Sequence, residues 1–178
     1  MAHDAHAPHF PHLVLGGARS GKSRQAEALI AEHDGPYIYV ATAQILDDEM
    51  QHRVDLHRER RGSHWTTIEC PIRLVSLLDR LQSEQKPVLV DCLTIWMSNL
   101  LLSEGSTSPE SHIQALCGLV QRTAFPLVMV SNEVGSGIVP DNALARRFRD
   151  LAGFANQRLA EVCPRVTLVV AGLPVHLK

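Results

Sequence analysis

The chain has 178 residues, 45% of them hydrophobic, and a formal net charge of −2; that length suits one domain with a sizeable core. A balance so near neutrality argues against general attraction to nucleic acid or to a membrane surface. The longest apolar runs are strand-sized, far short of the roughly 20 residues that span a bilayer, so no membrane insertion is expected.

Residues 1–11 carry His3, His6 and His9 among Ala and Pro, with His12 next. They lack the basic start and apolar middle of a signal peptide. A flexible, solvated tail is expected there, with adventitious metal binding as the alternative, and residues 12–178 are expected to form a single phosphate-loop nucleotide-binding domain. Cys70, Cys92, Cys117 and Cys163 are far apart and form no C-x-x-C pair. That usage predicts reduced, mostly buried thiols in a cytoplasmic protein.

The apolar run Leu13-Val14-Leu15 leads into Gly16-Gly-Ala-Arg-Ser-Gly-Lys-Ser23, which matches G-x-x-x-x-G-K-[ST] without a gap, and strong helix formers follow from Arg24. A strand, this loop and a helix in that order turn successive backbone N–H groups inward around a phosphate at the helix N-terminus. In that arrangement Lys22 reaches the β- and γ-phosphates and the Ser23 hydroxyl ligates Mg²⁺. The loop predicts binding of a nucleoside triphosphate.

Strands are predicted at 12–15, 37–41, 65–69, 88–91, 127–131 and 166–171, and helices at 22–32, 47–61, 72–85, 94–103, 110–122 and 143–162. Continuous runs such as Val88-Leu89-Val90 and Thr167-Leu168-Val169-Val170 lack polar alternation, as strands covered on both faces do. Ser108 followed by Pro109 reads as an N-cap with proline at the first helical position. Alternating strand and helix predict an α/β fold with a mostly parallel sheet and helices on both faces.

Function in such a sheet collects at the carboxyl ends of the strands. That rule selects the loop after the first strand, Thr42 and Gln44 after the second, Glu69 after the third, Asp91 after the fourth, and Asn132-Glu133 after the fifth. Asp91 follows a buried apolar strand as a Mg²⁺-holding carboxylate does; alternatively it caps the helix that begins near Thr94. Glu69 is a nucleotide contact or a solvated strand end.

Within 47–61, Asp47 and Asp48 suit a helix N-terminus and the later basic residues its C-terminus. Glu49, Arg53 and His57 then share one row. His57, beside Arg53, Arg58, Arg60 and Arg61, is either a solvated surface residue or an imidazole whose pKa the cations lower, with a ring nitrogen free to attack phosphorus. His52 and His64 read as solvated.

Together the motifs resemble the bifunctional adenosylcobinamide kinase/adenosylcobinamide-phosphate guanylyltransferase family of cobalamin biosynthesis. The resemblance rests on the phosphate loop, Tyr39-Val-Ala-Thr-Ala-Gln44, Asp47-Asp-Glu-Met50, Arg53 with His57, and His64-Trp-Thr-Thr-Ile-Glu69. It continues through Val90-Asp-Cys-Leu-Thr94, Ser98-Asn-Leu100, Val130-Ser-Asn-Glu-Val-Gly-Ser-Gly-Ile-Val-Pro140, Asn156-Gln157 and Ala171-Gly-Leu-Pro174. It spans essentially 12–178 and implies a P-loop NTPase-like, RecA-like fold.

The resemblance implies two reactions. An NTP phosphorylates the aminopropanol hydroxyl of adenosylcobinamide. A histidine then takes GMP from GTP, and adenosylcobinamide phosphate accepts it, giving adenosylcobinamide-GDP. By motif position the nucleophile is His57, with Lys22 in the catalytic machinery. The family's nucleotide contacts fall on Gly16, Gly17, Ala18, Arg19, Ser20, Gly21, Lys22 and Ser23. Further contacts fall on Ala41, Thr42 and Ala43, on Arg58, Glu59, Arg60 and Arg61, and on Glu69 and Asp91. Mg²⁺, on Ser23 and Asp91, is the implied cofactor, ATP and GTP are substrates, and a homotrimer is the implied assembly. Arg58-Glu-Arg-Arg61 departs from the pattern in being denser in charge than a glycine-containing turn, and the segment from Asn99 to Leu127 is short. The competing readings are a kinase without guanylyl transfer and a nucleotide switch. A switch needs an N-K-x-D motif, for which Asn132-Glu133-Val134-Gly135 is no substitute.

Overall fold

The computed structural model describes residues 10–44, 62–103 and 107–178. Seven strands form one sheet: β1 (His12–Gly16), β2 (Tyr37–Ala41), β3 (Trp65–Glu69), β4 (Val88–Asp91), β5 (Leu127–Asn132), β6 (Arg165–Val170) and β7 (Leu173–His176). The described helices are α1 (Lys22–Ile30), α2 (Leu74–Leu81), α3 (Leu93–Leu102), α4 (Pro109–Val120) and α5 (Ala143–Val162). The expected helix over 47–61 and residues 1–9 of the expected tail lie outside the described residues. Pro11 is buried, and the Phe10 ring meets His33 edge-on at 4.9 Å, so packing begins before β1.

The spatial strand order is β3-β2-β4-β5-β1-β6-β7. Every neighbouring pair is parallel except β6 with β7. The mostly parallel α/β sheet expected of a phosphate-loop fold is therefore present, with β5 between the loop's strand β1 and Asp91's strand β4.

Side-chain alternation divides the apolar residues between two faces. Leu13, Leu15, Val40, Val90 and Met129 pack with α2, α3, α4 and α5. Val14, Tyr39, Leu89, Val128 and Val130 pack with Ala26 and Ile30 of α1 on the other face. Burial on both faces explains the unbroken apolar runs. Helix starts follow their caps: Ser108 Oγ accepts from the Ser111 N–H, and Asn142 Oδ1 from the Ala145 N–H.

One element was not anticipated. β6 ends at Val170, the chain turns through Ala171 (φ 51°) and Gly172 (φ 81°), and β7 returns antiparallel as an edge strand. Pro174 sits on that edge, where a missing N–H costs no ladder bond inside the sheet.

Candidate functional site

The phosphate loop is shaped by contacts with the opposite end of the chain. A side chain at Gly16 would drive its Cβ into Ser20 Oγ and to 2.7 Å from the Val169 carbonyl oxygen, so only glycine fits. Arg19 (φ 55°) and Gly21 (φ 94°) take left-handed conformations that fold the loop back on itself. Gly172 N–H donates to the Ser20 carbonyl at 2.8 Å, and a Cβ on Gly21 would lie 3.2 Å from Gly172 Cα. The β6–β7 turn is thus the rear wall of the loop.

Gly21 makes no side-chain cap for α1, and the first turn carries no acid. The N–H groups there keep their positive field for an anion. Lys22 Nζ donates to the Gly17 carbonyl at 3.1 Å, which lays the ammonium across its own loop.

Three further expected residues stand in one row at the carboxyl edge. Ala41 of β2 is paired with Glu69 of β3 on one side and Asp91 of β4 on the other. Alternation puts Ala41 and Asp91 on the α1 face, since Tyr39 and Leu89 pack there. Two strand spacings separate Glu69 from Asp91, about 10 Å. Cys92, not Asp91, is the N-cap of α3, so the capping alternative for Asp91 falls away. The Cys92 thiol is pushed up to about 11, first by burial and next by the Asp91 charge, while Lys22 pulls the other way. Lys22 and Asp91 therefore act on one neighbourhood.

Thr42 is fully buried and serves as a latch. Its hydroxyl accepts from the Cys92 N–H and donates to the Cys92 carbonyl, and its own N–H donates to the Asp91 carbonyl at 3.3 Å. Asn99 of α3 donates to the carbonyls of Thr42 (2.9 Å) and Pro71 (3.0 Å), tying the segments after β2 and β3 to the helix. Sequence reasoning named Thr42 as a contact but missed both the latch and Asn99. An amide within the apolar Leu93–Leu102 helix was the available signal.

Ser23 and Asp91 are hard oxygen donors, and neither side chain is hydrogen-bonded to another described residue. His57, Arg58, Glu59, Arg60 and Arg61 lie outside the described residues. On the α5 side a cavity of about 580 Å³ is lined by Leu15, Glu133, Asn156 and Gln157, among others. No described helix is long and apolar enough to cross a membrane.

A family model described as cobinamide kinase / cobinamide phosphate guanyltransferase matches residues 12–177. The chain is 46% identical over 166 residues to the bifunctional adenosylcobalamin biosynthesis protein CobP of Pseudomonas aeruginosa, covering 93% of this chain and 96% of that one. It is 46% identical over 180 residues to the bifunctional adenosylcobalamin biosynthesis protein CobU of Salmonella typhimurium, covering 93% and 98%. Among solved structures, the P4 protein of bacteriophage phi6 in complex with ADP aligns at a TM-score of 0.42 and 12% identity, over 92% of this chain and 51% of that one.

Proposed function

The chain belongs to the cobinamide kinase / cobinamide phosphate guanyltransferase family and is a bifunctional enzyme of adenosylcobalamin biosynthesis; we propose that both of its reactions draw on one triphosphate site built on residues 16–23. The observation that carries this is the shaped loop leading into an uncapped helix, with Asp91 on the same face.

In the kinase step the hydroxyl of the aminopropanol arm of adenosylcobinamide attacks the γ-phosphorus of ATP or GTP, and the nucleoside diphosphate leaves. Lys22 and the loop amides hold the phosphate oxygens and spread their charge. Ser23 and Asp91 offer the oxygen set that Mg²⁺ takes alongside phosphate oxygens and water. Bound there, Mg²⁺ supplies charge neutralisation at the phosphates.

In the second step a His57 ring nitrogen attacks the α-phosphorus of GTP and the bond to pyrophosphate breaks. A phosphate oxygen of adenosylcobinamide phosphate then attacks the histidine-bound phosphorus and frees the imidazole. A phosphoramidate is reactive enough to pass GMP onward, and two half-transfers let one site serve two bulky partners in turn. Arg58, Arg60 and Arg61 supply positive charge next to His57 in sequence, and Ala41, Ala43, Glu59 and Glu69 complete the nucleotide contacts, whereas Thr42, wholly buried and bonded to Cys92, acts on them only by holding the strand ends together.

The enzyme works as a homo-oligomer, a trimer by family resemblance. Support comes from β7, an edge strand on which Leu173 and Val175 are exposed beside Val170 and Leu177. Four free, buried thiols fit the reducing cytoplasm.

Intact-protein mass spectrometry after incubation with Mg-GTP, paired with a kinase assay, tests the scheme. Wild type gains one GMP mass. His57→Ala loses the adduct and keeps kinase turnover, whereas Lys22→Ala loses both. An adduct that survives in His57→Ala overturns the assignment.

A further inference from the structure

Asn132 ends β5, the strand between the loop's strand and Asp91's. Its partner on β1 is Gly16, and Val130, two residues earlier, is opposite Asp91. Alternation fixes its face. Leu127 and Met129 pack toward the four-helix side, as does Ser131, whose Oγ lies 3.3 Å from Thr94 Oγ1 of α3. Val128 and Val130 pack toward α1, so Asn132 follows them onto the side of the loop and Asp91.

The main chain of Asn132 is held from three directions. Thr94 Oγ1 accepts its N–H at 2.6 Å, Asn156 Nδ2 donates to its carbonyl at 3.2 Å, and the following N–H, of Glu133, donates to the Gly16 carbonyl at 3.0 Å. Its side chain is half-buried and makes no hydrogen bond with a described residue. The neighbouring acid is turned away: Glu133 Oε1 accepts from the Gly135 N–H at 2.6 Å and lines the cavity on the α5 side. A rigid backbone thus presents one uncommitted amide beside the first residue of the phosphate loop.

We propose that Asn132 is a further catalytic residue of the kinase step, its Nδ2 donating a hydrogen bond to the phosphoryl group in transfer, with Thr94 and Asn156 as positioning residues. This rests on the kinase reading above. As the bond from the γ-phosphorus to the β–γ bridging oxygen breaks and that to the substrate hydroxyl oxygen forms, the hydroxyl proton passes to solvent and the electron pair leaves with the nucleoside diphosphate. Charge on the three equatorial oxygens is then met by a donor that needs no reorganisation. Guanylyl transfer breaks a bond at the α-phosphorus instead, so it does not use this contact.

Four measurements on Asn132→Ala and Asn132→Asp decide it. Kinase kcat falls about 10- to 100-fold, Mg-GTP affinity stays within about twofold, and the GMP adduct still forms. The tightening of Mg-GDP by aluminium fluoride, which mimics the group in transfer without any corrinoid, is lost. Thr94→Val follows the Asn132 variants, and Thr94→Ser, which keeps the acceptor, restores turnover. Wild-type kcat in Asn132→Ala, undiminished aluminium fluoride tightening, or a parallel collapse of Mg-GTP affinity and adduct formation overturns the proposal. A wild type with no kinase turnover counts against the kinase reading instead, and the aluminium fluoride comparison still decides the contact.

Discussion

The Thr42 hydroxyl is bonded twice to Cys92, accepting from its N–H at 2.9 Å and donating to its carbonyl at 2.7 Å. One side chain therefore joins the strand end that carries Ala41 to the strand end that carries Asp91, with 50 residues of chain between the bonded partners.

Thr42→Val keeps the shape but strands a buried N–H and a buried carbonyl. Unfolding free energy should fall by about 1–3 kcal/mol, with weaker Mg-nucleotide binding because Asp91 precedes Cys92. Urea titration and calorimetry check this, and Thr42→Ser should recover most of the loss.

Gly16→Ala should lower triphosphate affinity at least about tenfold, because the new methyl meets Ser20 Oγ and the Val169 carbonyl and the loop must yield. Gly118→Ala is the control. Nothing lies within 4 Å of its added Cβ, and in the last turn of α4 it should stabilise by up to about 1 kcal/mol. Isothermal titration with Mg-GTP and thermal melts separate the two.

Cys92 and Cys163 are pushed up to about 11 and about 12, in both cases chiefly by burial. The folded state keeps these thiols protonated while the unfolded chain ionises near the ordinary value of 9.0. Stability is therefore level up to about pH 9 and declines from there toward pH 11–12, as the unfolded state sheds protons first. Urea midpoints between pH 8 and 11 should show that decline, less steeply in Cys163→Ala. At pH 7 a thiol reagent should modify the native protein slowly and all four cysteines rapidly in denaturant.

Val175→Lys places a charge on the exposed edge strand. Light scattering should show an oligomer for wild type and a smaller species for the variant, with the melting temperature of the isolated chain little changed. A monomeric wild type at micromolar concentration, fully active, would remove the oligomer from the scheme.

Much of the architecture was legible because buried parallel strands read as unbroken apolar runs, and because a carboxyl-edge rule needs only strand ends to select Asp91 and Glu69. β7 escaped because Leu173-Pro-Val-His176 is only four residues long and carries a proline, which normally argues against a strand. The Thr42 latch and the Asn99 bridge were hidden for another reason. Their partners lie 28 to 57 residues away in sequence, and local pattern carries no information about which carbonyl a buried polar group will meet.

The turn behind the phosphate loop makes strand length a matter of nucleotide chemistry. Ser20 and Gly21 lean on Gly172, and Gly16 on Val169, so the end of β6 acts as a fixed stop. One residue gained or lost along residues 165–171 would shift that stop by about 3.3 Å, roughly the length of a hydrogen bond. The loop would then lose its backing while every one of its own residues stayed in place, and a deletion some 150 residues downstream would read out as a failure to hold phosphate.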